Sequence, residues 1–302
     1  MLEGKNATMQ LAAITDEISQ EFEYALDVLL EYGATGAELR GLWGTNVADL
    51  SDAQIARAKA ALQERGMKSV GLATPFYKCD LELGAQNPGE AAGRMHLAQP
   101  RDMAEQFRML ERCIAIAHTL ETPLLRVFAF WRKDVLTPER EARIVEMFAE
   151  PVALATKEGV TLVLENEHAC YIGTGAEAAR IADAVNSPNL KVVWDPGNAF
   201  CAGEKPFPDG YEACKKHIVH IHVKDAKMVQ TPDHGIQPQW CVIGEGEIGY
   251  EAHFAALKQD GYSGCVSLET HYTPQTGTGE NGKGTTEDGS RLCLAALNRL
   301  MA

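Results

Sequence analysis

A short apolar run followed by a segment of helical spacing recurs eight times along the chain, and few architectures accept that rhythm. The apolar runs fall at residues 11–14, 36–39, 68–73, 123–130, 160–164, 190–194, 218–223 and 265–268. After the first, Phe22, Ala25, Leu26, Leu29 and Leu30 share one helical face, with Gly33 as a stop. Ser51 with Gln54 and Thr174 with Glu177 have capping-box form. Pro138 takes a first helical turn after Thr137, where its missing N–H costs nothing. Strands that alternate with helices lie parallel. Eight such units in 302 residues, with no linker-like break, predict an α/β fold, a (β/α)8 barrel, as a single domain over residues 1–302. A doubly wound open sheet is the alternative, ranked lower because no Gly-x-Gly-x-x-Gly turn follows the first run.

In such a barrel the C-terminal end of every strand opens on one mouth, where the chemistry is done. Four successive runs end in groups that can hold a cation: Glu165 after the fifth, Asp195 after the sixth, His222 in the seventh and Glu269 after the eighth. Any one of them is explained by a solvated loop or half of a salt bridge. Three carboxylates and an imidazole converging on one rim are harder to dismiss, because they repel unless a cation sits among them. The seventh run sharpens the point: His220, His222 and Lys224 share one face of a strand and Ile221 and Val223 the other. Two imidazoles and an ammonium buried without partners would be costly, so that face must meet a ligand, a metal or water. An oxygen-rich set with one nitrogen suits Mn²⁺ or Mg²⁺, with Co²⁺ and Zn²⁺ as further candidates.

The overall charge narrows the partner. With 28 basic against 42 acidic residues the formal net charge is −14, which repels polyanions and argues against nucleic acid. The eight cysteines form no Cys-x-x-Cys pair and read as reduced, structural thiols. Residues 1–10 lack a basic segment followed by an apolar run, and nowhere is there a stretch of about 18 apolar residues. The expectation is a cytoplasmic protein with a small-molecule partner and no membrane contact.

Leu164-Glu165-Asn166, Trp194-Asp195-Pro196-Gly197-Asn198, His220-Ile221-His222-Val223-Lys224-Asp225 and the segment Gly244-Glu245-Gly246-Glu247-Ile248 carry a resemblance. The chain resembles the xylose isomerase-like TIM barrel family of sugar isomerases and epimerases, which includes ketose 3-epimerases, inosose dehydratases and the endonuclease IV branch. The resemblance spans nearly the whole chain. It implies one divalent ion held by Glu165, Asp195, His222 and Glu269, with Glu165 and Glu269 as acid and base on opposite faces of a bound sugar. There are departures. Ketose 3-epimerases tend to carry a histidine where this chain has Asn198. The endonuclease branch builds a three-zinc site from extra histidines after early strands, and none stands in Thr74-Pro75-Phe76-Tyr77 or Phe128-Ala129-Phe130-Trp131.

The chemistry follows from one requirement. A C–H beside a carbonyl becomes acidic only if the developing enediolate is stabilised, which a divalent ion does by polarising the oxygens it binds. One glutamate removes the proton and the other returns it. Return on the other face gives epimerisation, and return at the neighbouring carbon gives aldose–ketose isomerisation. Around this pair, Glu167, His168 and Asn198 are expected to meet substrate hydroxyls or to support the ligands. Lys224 and Arg126 could neutralise an enediolate, although an ion pair with a rim glutamate explains either equally well. Glu38, with Arg40 nearby, reads as a sugar contact or a salt bridge, and Trp131, like Trp43 and Phe76, as an aromatic wall or plain packing. No phosphate cradle is evident, which favours an unphosphorylated carbohydrate.

Three function classes remain open on the sequence. The first is the metal-dependent isomerase or epimerase. The second is a lyase on the same scaffold, dehydrating a keto-inositol-like ring after the same proton abstraction. The third is a barrel that binds a sugar without turning it over. The segments 78–99, 227–248 and 277–289 set the substrate, and the last reads as a mobile loop and candidate lid. Barrels of this kind commonly pair, which leaves a homo-oligomer open.

Overall fold

The structure, a computed structural model, describes residues 8–81, 97, 99 and 101–302. Eight strands pair in parallel: β1 (Gln10–Ala13), β2 (Gly36–Leu39), β5 (Lys68–Phe76), β6 (Leu124–Val127), β7 (Thr161–Glu165), β8 (Leu190–Trp194), β9 (Ile218–Val223) and β12 (Cys265–Leu268). Their order around the sheet is β1, β12, β9, β8, β7, β6, β5, β2. A parallel bridge between Ile14 and Glu38 brings the two ends together, so the sheet closes into a barrel. Both faces of these strands are covered, and their residues are buried almost throughout, as parallel strands between helices must be.

The helices form where the apolar spacing and caps place them. Phe22–Glu31 buries Phe22, Ala25, Leu26, Val28 and Leu29 against the barrel. Ser51 and Thr174 cap their helices through reciprocal bonds with Gln54 and Glu177. Each large aliphatic side chain removed from water contributes roughly 1.5–3 kcal/mol, and the continuous layer of such residues between strands and helices is the core. Gly33 and Gly159 end their helices at φ of 75° and 69°, a backbone that glycine adopts without strain.

Several expected boundaries shift. The helix read as 137–157 is two, Pro138–Met147 and Ala149–Glu158, joined at Phe148. Within 227–248 lies an antiparallel hairpin, β10 (Asp225–Thr231) and β11 (Gly235–Cys241). A small hairpin, β3 (Gly41–Leu42) with β4 (Thr45–Asn46), follows β2. The last helix starts at Thr286 and not at Ser290, because Thr285 and Asp288 form a capping box. Asp288 also accepts from the Thr278 backbone N–H at 2.8 Å, which ties the 277–285 segment to the helix it precedes. Most of the expected 78–99 excursion lies outside the described residues. Among the described residues, no helix is long and apolar enough to cross a membrane.

Candidate active site

The sheet order puts the four ligand candidates on four adjacent strands. Glu165 ends β7, Asp195 follows β8, His222 lies in β9 and Glu269 follows β12. All four are buried, and each offers an atom within 4.8 Å of the others. Asp195 also caps the short helix Pro196–Cys201, its Oδ1 accepting from the Asn198 N–H at 2.8 Å. Asn166 fixes the same turn from the next strand, accepting from the Asp195 N–H and donating to the Asp195 carbonyl at 2.9 and 2.8 Å. Two carboxylate oxygens in the cluster, Glu165 Oε2 and Asp195 Oδ2, are buried and accept no hydrogen bond. Arg126 and Lys224 come within ion-pair reach of them, at 3.1 and 2.9 Å, but not in hydrogen-bonding orientation. Unsatisfied acceptors of this kind, beside an imidazole and a third carboxylate, form a donor set that fits a divalent cation.

Behind His222 stands Glu38. Its carboxylate lies 3.0 and 3.1 Å from His222 Nε2 and 2.9 Å from His220 Nε2, which also meets Ser267 Oγ at 3.0 Å. Burial works against the charge on Glu38, but His222 and then His220 outweigh it and hold the carboxyl well below its usual range. For His222, burial likewise opposes the charged ring, yet Glu38 and Glu165 push it up to about 10. With Nε2 engaged by Glu38, the other ring nitrogen, Nδ1, faces Glu165 Oε1 at 3.4 Å and the cluster. That is the arrangement in which an outer carboxylate orients a metal-ligating imidazole. His220 thus lies behind the cluster, and the Glu38 carboxylate is taken up by the two imidazoles.

Each glutamate of the expected acid–base pair has its own cation. Arg126 pairs with Glu165 and donates to the Ala73 carbonyl at 3.1 Å. Arg40 meets Glu269 Oε1 at 3.0 Å and is itself held by Asp16 and Glu17. Lys224 reaches Glu269 Oε2 at 2.6 Å. Burial would raise Glu269, but Lys224 and then His271 keep it well below the usual carboxylate range. Asp195 differs: burial raises it to about 6 despite Lys224.

The outer wall of the mouth comes from neighbouring loops. Glu167 accepts from Lys78 at 3.1 Å and lies 3.0 Å from His168 Nδ1. Asn198 joins the two layers, its Nδ2 donating to Glu165 Oε1 at 3.1 Å and its Oδ1 lying 3.1 Å from His168 Nδ1. Burial pulls His168 down, but Glu167 and Asn198 hold it above its ordinary value. Lys78 lies over the rings of Phe128 and Trp131, 4.4 and 5.4 Å from their centres. Phe76, by contrast, is fully buried and stacks on Tyr77 in the core, and Trp43 packs edge-on against Phe22 under Arg57.

Several residues of this constellation escape a reading of strand ends alone. Arg40, Asp16, Glu17, Lys78 and Asn166 matter through partners far away in the chain. Trp240 is carried to the mouth by β11, where its ring lies 4.7 Å from that of His271. A signal existed for Asp16 and Glu17, which directly follow the first apolar run.

Known proteins are similar to this chain in sequence or in fold. An inosose dehydratase of Clostridium perfringens is 24% identical over 250 residues, covering 78% of this chain and 80% of that protein. An inosose isomerase of Bacillus licheniformis is 27% identical over 175 residues, or 56% of this chain and 60% of that protein. The crystal structure of a D-allulose 3-epimerase from Methylomonas sp., in complex with D-allulose, matches the fold with a TM-score of 0.69 at 15% identity, covering 97% of each chain. Residues 26–295 match the family described as xylose isomerase-like TIM barrel, and with barrel and match in agreement, the chain belongs to that family.

Proposed function

We propose that this chain is a metal-dependent isomerase or epimerase that moves a proton next to the carbonyl of a free sugar or related polyhydroxy compound, with Glu165 and Glu269 as the acid–base pair. The observation that carries the reading is the order of the ligands. The two glutamates come from the outer strands of the four, β7 and β12, with Asp195 and His222 between them. A divalent ion held by the four would supply Lewis-acid polarisation of the carbonyl. Arg126 keeps Glu165 ionised, and Lys224 and then His271 do so for Glu269, so that either can accept a proton, and Asn198 fixes the orientation of Glu165. Lys78, Glu167 and His168 offer hydrogen bonds to hydroxyls at the mouth, with Trp131 and Phe128 as an apolar floor beneath Lys78.

A second reading, a dehydratase, is favoured by the inosose dehydratase relative and by His168. Expulsion of a hydroxyl as water needs a proton donor, and a partly exposed imidazole held above its ordinary value is the donor this mouth offers. One experiment separates the two. Protein loaded with Mn²⁺ is incubated in D2O with D-allulose, other ketoses and inososes, and the products are followed by NMR. Deuterium entering at carbon without loss of water supports the isomerase, and loss of water supports the lyase. Glu165→Gln and Glu269→Gln should each slow the exchange roughly 10²–10⁴-fold. No exchange and no product with any of these compounds would refute both readings.

A further inference from the structure

Lys224 stands in an unusual place for a substrate contact. Its stem lies against the turn after Asp195, so close that a Cβ on Gly197 would stand 2.6 Å from Lys224 Cγ. That route delivers Nζ to 2.9 Å from Asp195 Oδ2 and 2.6 Å from Glu269 Oε2. The residue is only 4% exposed. Both oxygens belong to side chains of the four-ligand cluster, and Asp195 Oδ2 is one of the acceptors without a hydrogen bond. Arg126 also reaches a cluster oxygen, Glu165 Oε2 at 3.1 Å, but both nearby arginines are held elsewhere as well. Arg40 takes the opposite oxygen of Glu269 and is anchored by Asp16 and Glu17, while Arg126 is anchored on the Ala73 carbonyl.

An ammonium and a divalent ion draw on the same carboxylate lone pairs and repel each other when placed on them together. The lysine is the one able to yield, having a flexible four-carbon stem and a single point of charge. The Trp240 ring, 6.0 Å from Nζ, gives the ammonium an aromatic face to move towards. We propose that Lys224 is a resident counter-ion of the cluster: its ammonium holds Asp195 and Glu269 in place, gives way when a divalent ion takes those oxygens, and thereby sets how tightly the ion binds. The inference rests on the metal reading above.

The test uses the full chain, stripped with EDTA and dialysed, with Mn²⁺ titrated into wild type and Lys224→Met by calorimetry. The variant keeps the stem and loses the charge. It should bind Mn²⁺ at least tenfold more tightly than wild type, and should melt lower than wild type without Mn²⁺, with the gap closing when Mn²⁺ is added. Equal or weaker binding by a folded variant overturns the proposal while leaving the metal reading intact. Mn²⁺ binding by neither protein overturns both. If the variant fails to fold, a crystal structure of Mn²⁺-loaded wild type decides: Nζ released from Asp195 Oδ2 and Glu269 Oε2 supports displacement, and both ion pairs retained refutes it.

Discussion

Replacing Glu38 by glutamine should weaken metal binding although Glu38 is not among the four ligand candidates. The carboxylate accepts from two imidazoles at once, His222 Nε2 at 3.0 Å and His220 Nε2 at 2.9 Å. A carboxamide has the same shape but only one acceptor oxygen, so its NH2 must face one of the two rings. If it takes the Oε1 place, it faces the His222 Nε2–H donor to donor and leaves that N–H only the oxygen at 3.1 Å, which loosens the hold on the ring. If it faces His220, whose Nδ1 already has no partner, a buried imidazole loses its remaining carboxylate. Loss of an outer carboxylate of this kind typically costs 10–100-fold in metal affinity, or about 1.4–2.7 kcal/mol. Glu38→Gln should therefore bind Mn²⁺ with a Kd raised into that range by calorimetry, while its circular dichroism spectrum stays that of wild type. A folded variant with a Kd within twofold of wild type would refute the argument that Glu38 orients His222 for the cluster.

Two further perturbations read other parts of the molecule. Arg126→Met removes the main cation that offsets the burial of Glu165, so the carboxyl titrates higher and the acid limb of the kcat/KM profile should move to higher pH; an unmoved limb would show that Glu165 does not govern it. His253 is buried and neutral, with Nε2 accepting from Trp194 Nε1 at 3.3 Å, and desolvation holds it at about 3 against an ordinary 6.5. Because the folded state takes up its proton later than the unfolded state, stability falls as pH drops from 6.5 towards 3, by about 2 kcal/mol at pH 5. Urea unfolding of His253→Gln should show a flatter loss between pH 7 and 5 than wild type, and an identical slope would mean that His253 is not the source.

The barrel was legible because its signals are local. Each strand is a short apolar run, and each helix carries its own spacing and cap, so the eightfold rhythm survives without any knowledge of contacts. The four ligand candidates were legible for the same reason, since each sits on or directly after such a run. Their partners were not. Glu38 meets His222 across 184 positions and Arg40 meets Glu269 across 229, distances that only barrel closure removes. The β10–β11 hairpin was hidden because, beyond Asp225 and Ala226, none of its residues is buried and its apolar positions do not alternate cleanly. The start of the last helix was hidden by Gly289, a residue that reads as loop, and by a capping box closed with Asp288 where Glu or Gln is the usual sign.

The order of the strands divides the barrel into two arcs with different duties. One arc, β7, β8, β9 and β12, is encoded by the C-terminal part of the chain and carries Glu165, Asp195, His222 and Glu269. The other, β1, β2, β5 and β6, lends Asp16, Glu17, Arg40, Lys78 and Arg126 from the strands or the turns that follow them. The N-terminal arc orients and charges what the C-terminal arc supplies: Glu38 holds His222, Arg126 pairs with Glu165 and Arg40 with Glu269. Neither arc completes the cluster's surroundings alone, so a chimera joined between β6 and β7 would have to match these three pairs across the seam.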